Sequence, residues 1–274
     1  MKNNHPFLWL VLILLGSAFS ACKPEPSSSD IVSTRELNHH GIVYVEALCQ
    51  DGAKWYFEIE SATTAWITSS QDFFDDDSVH GCYAGALAVP ETFEHYGQTY
   101  TITGVKPLTF VNCEELTSMT LPDTVTVLGE GAFYGCTNLH SVVLPEGIQW
   151  IDFHTFHNCS SLTYLKVPDA VEGIYMGAFF NCSSLEKIEL GSGLQSCAGM
   201  LFIGCSSLKT VISHAVTPPS LVESTFNGLP LQEILVPQAC IEAYKNAPVW
   251  SDYADIIQPI QYGAFHHDDR FQSK

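Results

Sequence analysis

The sequence predicts a β-rich solenoid, in which repeats of 23 residues stack on one another and share one core. Phenylalanine, cysteine and leucine each recur at this period, three residues apart within every repeat. A single repeat is too short to bury its apolar side alone, and its neighbours in the stack supply the missing contacts. The three columns are Phe110, Phe133, Phe156, Phe179 and Phe202; Cys113, Cys136, Cys159, Cys182 and Cys205; and Leu116, Leu139, Leu162, Leu185 and Leu208.

One repeat, residues 133–145, shows the expected local structure. Leu139, Val142 and Leu144 fit a short strand whose apolar side chains face the core, and the following proline ends the pairing with neighbouring strands. A second apolar pair, Ile148 and Ile151, predicts another extended piece before the next phenylalanine. The residue before each cysteine is Gly or Asn, which adopt positive φ at low cost. We therefore predict a turn there that closes a short helical segment.

These repeats resemble the BspA-like subfamily of leucine-rich repeat proteins, which is abundant on bacterial surfaces. The resemblance rests on the five F-x-x-C-x-x-L units and on the Leu-Pro pairs at 121–122 and 144–145. It implies a leucine-rich repeat fold across 101–237 and a binding role without catalytic residues, because members of this subfamily bind diverse partners.

The regular cysteine column is predicted to be a buried row of thiols that fills space in the core. Equivalent side chains in a ladder of strands point the same way, so their Cβ atoms stay farther apart than the ~3.8 Å of a disulfide. A zinc site is not predicted, because tetrahedral ligands must converge on one point. Cys49 and Cys82 lie outside the repeats, and the sequence leaves open whether they pair.

The first 30 residues contain a predicted targeting segment. Residues 1–21 form a predicted signal peptide, because the apolar run at 7–15 is too short for a membrane-spanning helix. The box ending at Cys22 resembles a bacterial lipoprotein cleavage site, which implies an acylated Cys22 as membrane anchor. The alternative is ordinary signal-peptide cleavage with Cys22 incidental. Residues 22–30 are a predicted flexible tether.

The tether also bears on localisation. Lys23 and Glu25, with Pro24 between them, are similar in part to the surface-export signals of Bacteroidetes-type lipoproteins. We therefore expect a lipoprotein of the outer membrane or cell surface, with a periplasmic or secreted protein as the alternative. The oligomeric state is left open by the sequence.

The regions flanking the repeats are predicted to cap them. Residues 31–100 are rich in strand patterns, including a hairpin around Asp51 and Gly52, and form a predicted β-rich N-terminal cap. The acidic run at 72–77 is predicted to be a solvated loop, and a calcium site is the alternative. Residues 238–260 have helical composition and form a predicted short helical C-terminal cap, and 261–274 form a tail.

Charge and motifs exclude several functions. The net charge is −19, from 11 basic and 30 acidic residues, so nucleic-acid binding is disfavoured. We predict no enzymatic activity and no cofactor, because no complete catalytic motif is present. Asp152, His154 and His157, with His140 nearby, form the densest ligand-like cluster, but a polar exposed turn is favoured over a metal site there.

A candidate binding surface is formed by strand residues that point away from the core, which we call the strand face. The predicted function is cell-surface binding or adhesion to a host, matrix or neighbouring-cell protein. The alternative is a glycan-binding accessory lipoprotein, which requires exposed Trp or Tyr clustered along one face. The two columns of the strand face are Ser118, Ser141, Tyr164, Lys187 and Thr210, and Thr120, Val143, Lys166, Glu189 and Ile212.

Overall fold

A computed structural model describes residues 31–39, 42–49, 54–69 and 83–261. The signal peptide, the tether and Cys22 lie outside the described residues. So do the acidic run at 72–77, Cys82 and most of the tail, and the predictions for these segments stay predictions.

The described chain is strand-rich, with one short α-helix near its C-terminal end, as predicted. The helix α1 spans Ile241–Asn246, and 3-10 turns cover Gln238–Cys240 and Trp250–Ile256. In chain order the first strands are β1 (Ile31–His39), β2 (Ile42–Cys49), β3 (Lys54–Ile59), β4 (Thr64–Thr68), β5 (Gly85–Ala88), β6 (Thr92–His95), β7 (Gln98–Val105), β8 (Leu116–Thr120) and β9 (Val127–Leu128). The remaining strands are β10 (Ser141–Val143), β11 (Trp150–Ile151), β12 (Tyr164–Lys166), β13 (Gly173–Ile174), β14 (Lys187–Leu190), β15 (Ser196–Cys197), β16 (Thr210–Ser213), β17 (Glu233–Val236) and β18 (Ile257–Pro259).

The N-terminal strands form a mixed sheet in the order β1-β2-β3-β4-β7-β6, and β9 pairs with β7. The predicted hairpin of β2 and β3 is present as an antiparallel pair. Two features were not predicted. Strand β1 extends the sheet at its edge, and β6 turns back into β7 through Tyr96 and Gly97, both at positive φ. Positive φ at both central residues is what a tight hairpin turn requires.

The repeats stack in parallel, with residues 23 positions apart facing each other in neighbouring strands. One row of strands runs β5-β8-β10 and continues as β12-β14-β16-β17-β18. A second row, β11-β13-β15, follows the second apolar pair of each repeat. Pairing of Tyr164 with Lys187 and of Lys187 with Thr210 fixes the register of the main row. Strand β5, which precedes the first complete repeat, joins this row by pairing in parallel with β8.

A row of stacked phenylalanine rings runs through the core, and we call it the aromatic spine. Successive ring centroids are 5.0–6.0 Å apart and successive ring planes lie within 13° of parallel. Tyr83 meets the first ring edge-on, and Trp250 and Tyr253 meet the last ring edge-on. The stack therefore ends in aromatic edges at both sides. Its members are Phe110, Phe133, Phe156, Phe179, Phe202 and Phe226.

The cysteine column lies beside the aromatic spine and is buried, as predicted. Four of its thiols donate hydrogen bonds of 3.0–3.1 Å, each to the carbonyl oxygen of the phenylalanine in the preceding repeat. Burial raises the pKa of the Cys159 thiol well above its usual value, so the proton needed for donation stays in place. The column thus links consecutive repeats as well as filling space. The donors are Cys136, Cys159, Cys182 and Cys205.

Two columns of left-handed residues form the corners of each repeat. The predicted Gly/Asn column has φ between 54° and 82°. Instead of a helix, a hydrogen-bonded turn follows each phenylalanine, with the cysteine amide donating to the phenylalanine carbonyl three residues before it. A second column, containing His154, also has positive φ and was not predicted. The second column consists of Leu108, Gly131, His154, Gly177 and Met200.

Glycines at these corners make room for side chains of the preceding repeat. A Cβ atom on Gly177 would lie 2.6 Å from His154 Nδ1, and one on Gly131 would lie 2.6 Å from Leu108 Cδ2. Contacts this short do not occur between real atoms, so a glycine in one repeat permits a large residue in the repeat before it.

Both ends of the stack join the same hydrophobic core. Trp55 and Phe57 of the N-terminal sheet belong to it, and so do Tyr244 and Trp250 at the other end. Trp250 Nε1 donates to the carbonyl of Pro219 at 2.8 Å, so its buried polar group is satisfied. Within the described ranges, no helix has the length and apolar character needed to cross a bilayer.

The core assignment of Leu162 yields a stability prediction. Leu162→Ala should lower the free energy of unfolding by about 2–5 kcal/mol through the cavity it leaves. Leu162→Asp should cost more, because the carboxylate is buried without a partner. Chemical denaturation followed by circular dichroism measures both. Gln149→Asp, at an exposed position of the preceding repeat, should change stability by less than about 0.5 kcal/mol. An unchanged midpoint for Leu162→Asp contradicts the assignment.

Glu46 in the N-terminal sheet is nearly buried and is held by three polar partners. Arg35 Nε lies 2.9 Å from Oε1, and Lys54 Nζ and Tyr56 Oη donate to Oε2 at 3.2 and 3.1 Å. Burial alone would raise the pKa of Glu46, but these hydrogen bonds outweigh it and lower the pKa below its usual value.

This lowered pKa predicts a pH-dependent contribution to stability. A carboxylate with a depressed pKa stabilises the fold above its unfolded pKa, near 4.5, and loses that contribution as the pH falls through the folded pKa. Glu46→Gln should therefore be less stable than the wild type at pH 7, and the difference should shrink below pH 4.5. Thermal unfolding across this range tests it, with the exposed Glu91→Gln as control. A difference that does not change with pH contradicts the prediction.

Candidate binding surfaces

The strand face is built by the main row of parallel strands, and its two predicted columns are in register. Ser118 faces Ser141 and Thr120 faces Val143 in the first strands of the row. The pairs Tyr164–Lys187 and Lys187–Thr210 continue the first column, and Lys166–Glu189 and Glu189–Ile212 continue the second. Each column therefore repeats its side chains at the spacing of neighbouring strands, about 4.8 Å.

Most predicted residues of the strand face reach solvent, but one does not. Val143 and Lys166 are exposed, whereas Ile212 is only 3% exposed. The prediction that Ile212 is an exposed member of this face is therefore wrong. Its neighbours in the column, Glu189 and Leu235, flank it in the adjacent strands, and an aliphatic side chain between them gains by being covered. The half-buried members are Ser118, Thr120, Ser141, Tyr164, Lys187, Glu189 and Thr210.

A polar network fixes the centre of the strand face. Tyr164 Oη donates to Glu189 Oε2 at 2.9 Å, and His214 Nε2 lies 2.8 Å from the other oxygen of Glu189. Lys187 Nζ lies 5.4 Å from the centroid of the Tyr164 ring, within the range of a cation–π contact. Burial, and then the charge of Glu189, raise the pKa of Tyr164, so the phenol keeps the proton that it donates.

The strand face also collects positive charge. Between residues 107 and 237 the sequence has three basic residues other than histidine, namely Lys166, Lys187 and Lys209. Two of them lie on the strand face, and Lys209 directly precedes β16. Lys166 Nζ donates to Glu146 Oε1 at 2.8 Å, and this hydrogen bond to the carboxylate raises the pKa of Lys166. The face therefore combines cations with carboxylates, in contrast to the acidic chain as a whole.

The histidine cluster contains a direct contact between the rings of His154 and His157. His154 Nδ1 and His157 Nδ1 are 3.3 Å apart, which suits a hydrogen bond. The ring of His157 is stacked between Tyr134 and Phe180, at centroid distances of 4.6 and 4.7 Å. Burial and the neighbouring His154 lower the pKa of His157. Asp152 Oδ1 accepts from the amide of Phe153 at 2.7 Å. Among the residues that the structure describes, no three potential ligands converge on a metal site.

A shallow polar groove of about 460 Å³ follows the Gly/Asn corners of the repeats. Its side chains are largely engaged within the protein. Asn181 Nδ2 donates to Asn158 Oδ1 at 3.0 Å, and Ser160 Oγ donates to the carbonyl of Thr137 at 3.2 Å. The groove is therefore part of the ladder that joins the repeats.

A group of exposed aromatic residues, missed by the sequence analysis, lies near the second row of strands. We call Trp150, Phe153 and Tyr175 the aromatic cluster. Trp150 and Tyr175 have ring centroids 5.8 Å apart, and Phe153 stacks on Tyr175 at 4.9 Å. The sequence signal was weak, because the three residues occupy different columns of the repeat and become neighbours only when two repeats stack.

Comparison with known proteins identifies the repeats. A family model described as the BspA type leucine rich repeat region matches residues 103–229 in six copies. The repeats belong to this family. The sixth copy agrees with Phe226 as the last ring of the aromatic spine, whereas the sequence analysis recognised five complete units. The match supports the BspA-like resemblance on which the leucine-rich repeat prediction rested.

Two solved structures share the fold of this chain. A leucine rich repeat protein of T. pallidum aligns with a TM-score of 0.52 and 20% identity, over 84% of this chain and 94% of that one. A leucine rich cell surface protein of Faecalibacterium prausnitzii aligns with a TM-score of 0.51 and 24% identity, over 83% of this chain and 55% of that one. No curated protein matches the chain.

The histidine geometry gives a prediction for metal content. Among the described residues, no third ligand converges on the two facing nitrogens, and a zinc site needs three or four protein ligands. Elemental analysis of protein purified without an affinity tag and dialysed against zinc should find less than one metal per ten chains. His154→Ala should not change that value. Stoichiometric zinc that disappears in His154→Ala contradicts the prediction.

Proposed function

We propose that this protein is a cell-surface-anchored solenoid that binds another protein through the strand face. The observation that supports it most directly is the register of the two columns, which presents a rigid surface of mixed charge around Tyr164. Nine of the ten predicted residues reach solvent at least in part. A preorganised surface loses little conformational entropy when a partner binds, which favours affinity.

Tyr164 and Lys187 are the residues proposed to contribute most to binding. Tyrosine offers a large area with a polar tip, and it is enriched among residues that dominate protein interfaces. Glu189 holds the Tyr164 hydroxyl in place, so this ring is already ordered before contact. Lysines in a strongly acidic chain favour a partner with acidic groups opposite the strand face and disfavour other orientations.

The remaining parts of the chain fit the same proposal. An acylated Cys22 followed by the tether would hold the repeats at a membrane surface, and the resemblance of the first 30 residues to lipoprotein signals supports this. The proposed location is the outer membrane or cell surface, with the periplasm or secretion as the alternative. We propose that the N-terminal sheet, whose Trp55 contacts Tyr83, and the C-terminal helical turns act as caps, since Tyr83 and Trp250 pack edge-on against the two ends of the aromatic spine. A non-enzymatic role is part of this proposal.

Glycan binding remains the second candidate function. Its requirement was a cluster of exposed Trp or Tyr along one face, which the strand face with its single aromatic residue does not meet. The aromatic cluster does meet that requirement, at a different place on the molecule.

The proposed binding is tested with the chain lacking residues 1–22, immobilised and exposed to a panel of purified extracellular-matrix proteins. Tyr164→Ala combined with Lys187→Ala should weaken binding at least about 10-fold, as expected when a buried interface residue is truncated. Biolayer interferometry gives the affinity. Tyr96→Ala removes a ring that is 84% exposed in the N-terminal sheet and should leave binding unchanged. Equal affinity of the double variant and the wild type would move the site away from the strand face.

A further inference from the structure

The aromatic cluster is exposed without an obvious structural reason. Trp150 is 43% exposed, Tyr175 37% and Phe153 36%, and the exposed Met176 directly follows Tyr175. A contiguous group of large apolar side chains exposed on a protein surface often marks a binding site. The cluster is not part of the strand face, because its residues lie in and after the second row of strands.

The edge of the Trp150 indole lies against the backbone of the next repeat. Strand pairing places Trp150 opposite Gly173. A Cβ atom on Gly173 would lie 2.7 Å from Cζ3 and 3.0 Å from Cε3 of the indole, so only glycine leaves room for this edge of the ring. The indole is therefore held by its edge against Gly173, and 43% of Trp150 remains exposed.

Polar residues occupy the position directly before Trp150 in three successive repeats, and we call them the amide row. It consists of Gln149, Glu172 and Gln195, which are exposed and occupy the same position in three successive repeats. The amide of Glu172 donates to the carbonyl of Gln149 at 2.8 Å, and the amide of Gln195 donates to the carbonyl of Glu172 at 2.8 Å. These backbone bonds bring the three side chains into line, about 4.8 Å apart, which is comparable to the length of one sugar ring.

From this arrangement we propose that the aromatic cluster and the amide row form a binding site for a neutral carbohydrate. A sugar ring has one apolar face of C–H groups and a rim of hydroxyls. The apolar face of the sugar matches the exposed part of Trp150, with Tyr175 and Phe153 beside it, and the hydroxyl rim matches the amides and carboxylate of the row.

The charge of the surrounding residues favours an uncharged sugar over an anionic one as the ligand. The segments 149–154, 172–177 and 195–200, which build the site, contain no Lys or Arg. They do contain Asp152 and Glu172, whose carboxylates accept hydrogen bonds from hydroxyl groups and repel anionic sugars. The same carboxylates disfavour a nucleic-acid ligand.

The experiment uses the chain lacking residues 1–22 in native gels that contain a soluble polysaccharide. Xyloglucan, mixed-linkage β-glucan and galactomannan are the neutral probes, and polygalacturonate is the anionic probe. We expect at least one neutral probe, and not the anionic one, to retard the wild-type protein. Isothermal titration calorimetry with that probe should show at least tenfold weaker binding for Trp150→Ala.

Two further variants make the test specific. Gly173→Ala keeps every aromatic residue but displaces the indole, and it should weaken binding as Trp150→Ala does. Tyr96→Ala removes an exposed ring elsewhere and should bind as the wild type does. Circular dichroism melts establish that each variant is folded. The strand-face double variant Tyr164→Ala with Lys187→Ala should bind the polysaccharide normally, so this proposal and the proposed protein binding can fail separately.

Two results would overturn the carbohydrate site. The first is a folded wild-type protein that no neutral probe retards, including the case in which Trp150→Ala weakens binding to a matrix protein instead. The second is retardation that persists unchanged in both Trp150→Ala and Gly173→Ala.

Discussion

The structure depends on the constant spacing of 23 residues, because it places each phenylalanine ring directly against the ring of the next repeat. Ring stacking, the thiol-to-carbonyl bonds and the parallel strands all require the same register. A one-residue insertion within a repeat would break all three, unless the loop absorbed it before the next phenylalanine. Phe226 shows such an absorption, since it comes one residue late in sequence and still stacks on Phe202. Stability is therefore shared between neighbours, as in other repeat proteins.

Much of the fold could be predicted because its main determinants are local and periodic. The apolar columns, the Gly/Asn corner and the short C-terminal helix all leave a signal in composition or spacing. The second left-handed corner left a weaker signal, because only two of its five members are glycines and Leu108 and Met200 rarely adopt positive φ. Alignment of His154 with Gly131 and Gly177 was the available clue. Strand β1 was missed for another reason: its pairing with β2 depends on a partner and not on its own periodicity.

The binding surfaces were predicted less completely than the fold. Alternation along a strand shows which side chains point outward, and this placed the strand face in the right register. Alternation does not show which neighbouring side chains cover a residue. Ile212 was therefore predicted to be exposed, whereas it is buried beside Leu235 of the adjacent strand. The aromatic cluster depends on contacts between residues of two repeats and on the absence of a side chain at Gly173. Neither condition is visible within a single repeat.

The pairing of a large residue in one repeat with a glycine in the following repeat makes the repeats unequal. Leu108 sits over Gly131, His154 over Gly177 and Trp150 over Gly173. Duplicating the repeat that carries His154 and Trp150 would place each of them over a copy of itself, where its space is already filled. Modules of this protein can therefore be exchanged or multiplied only as matched pairs, and growth of such an array by single units would need compensating changes at the new junction.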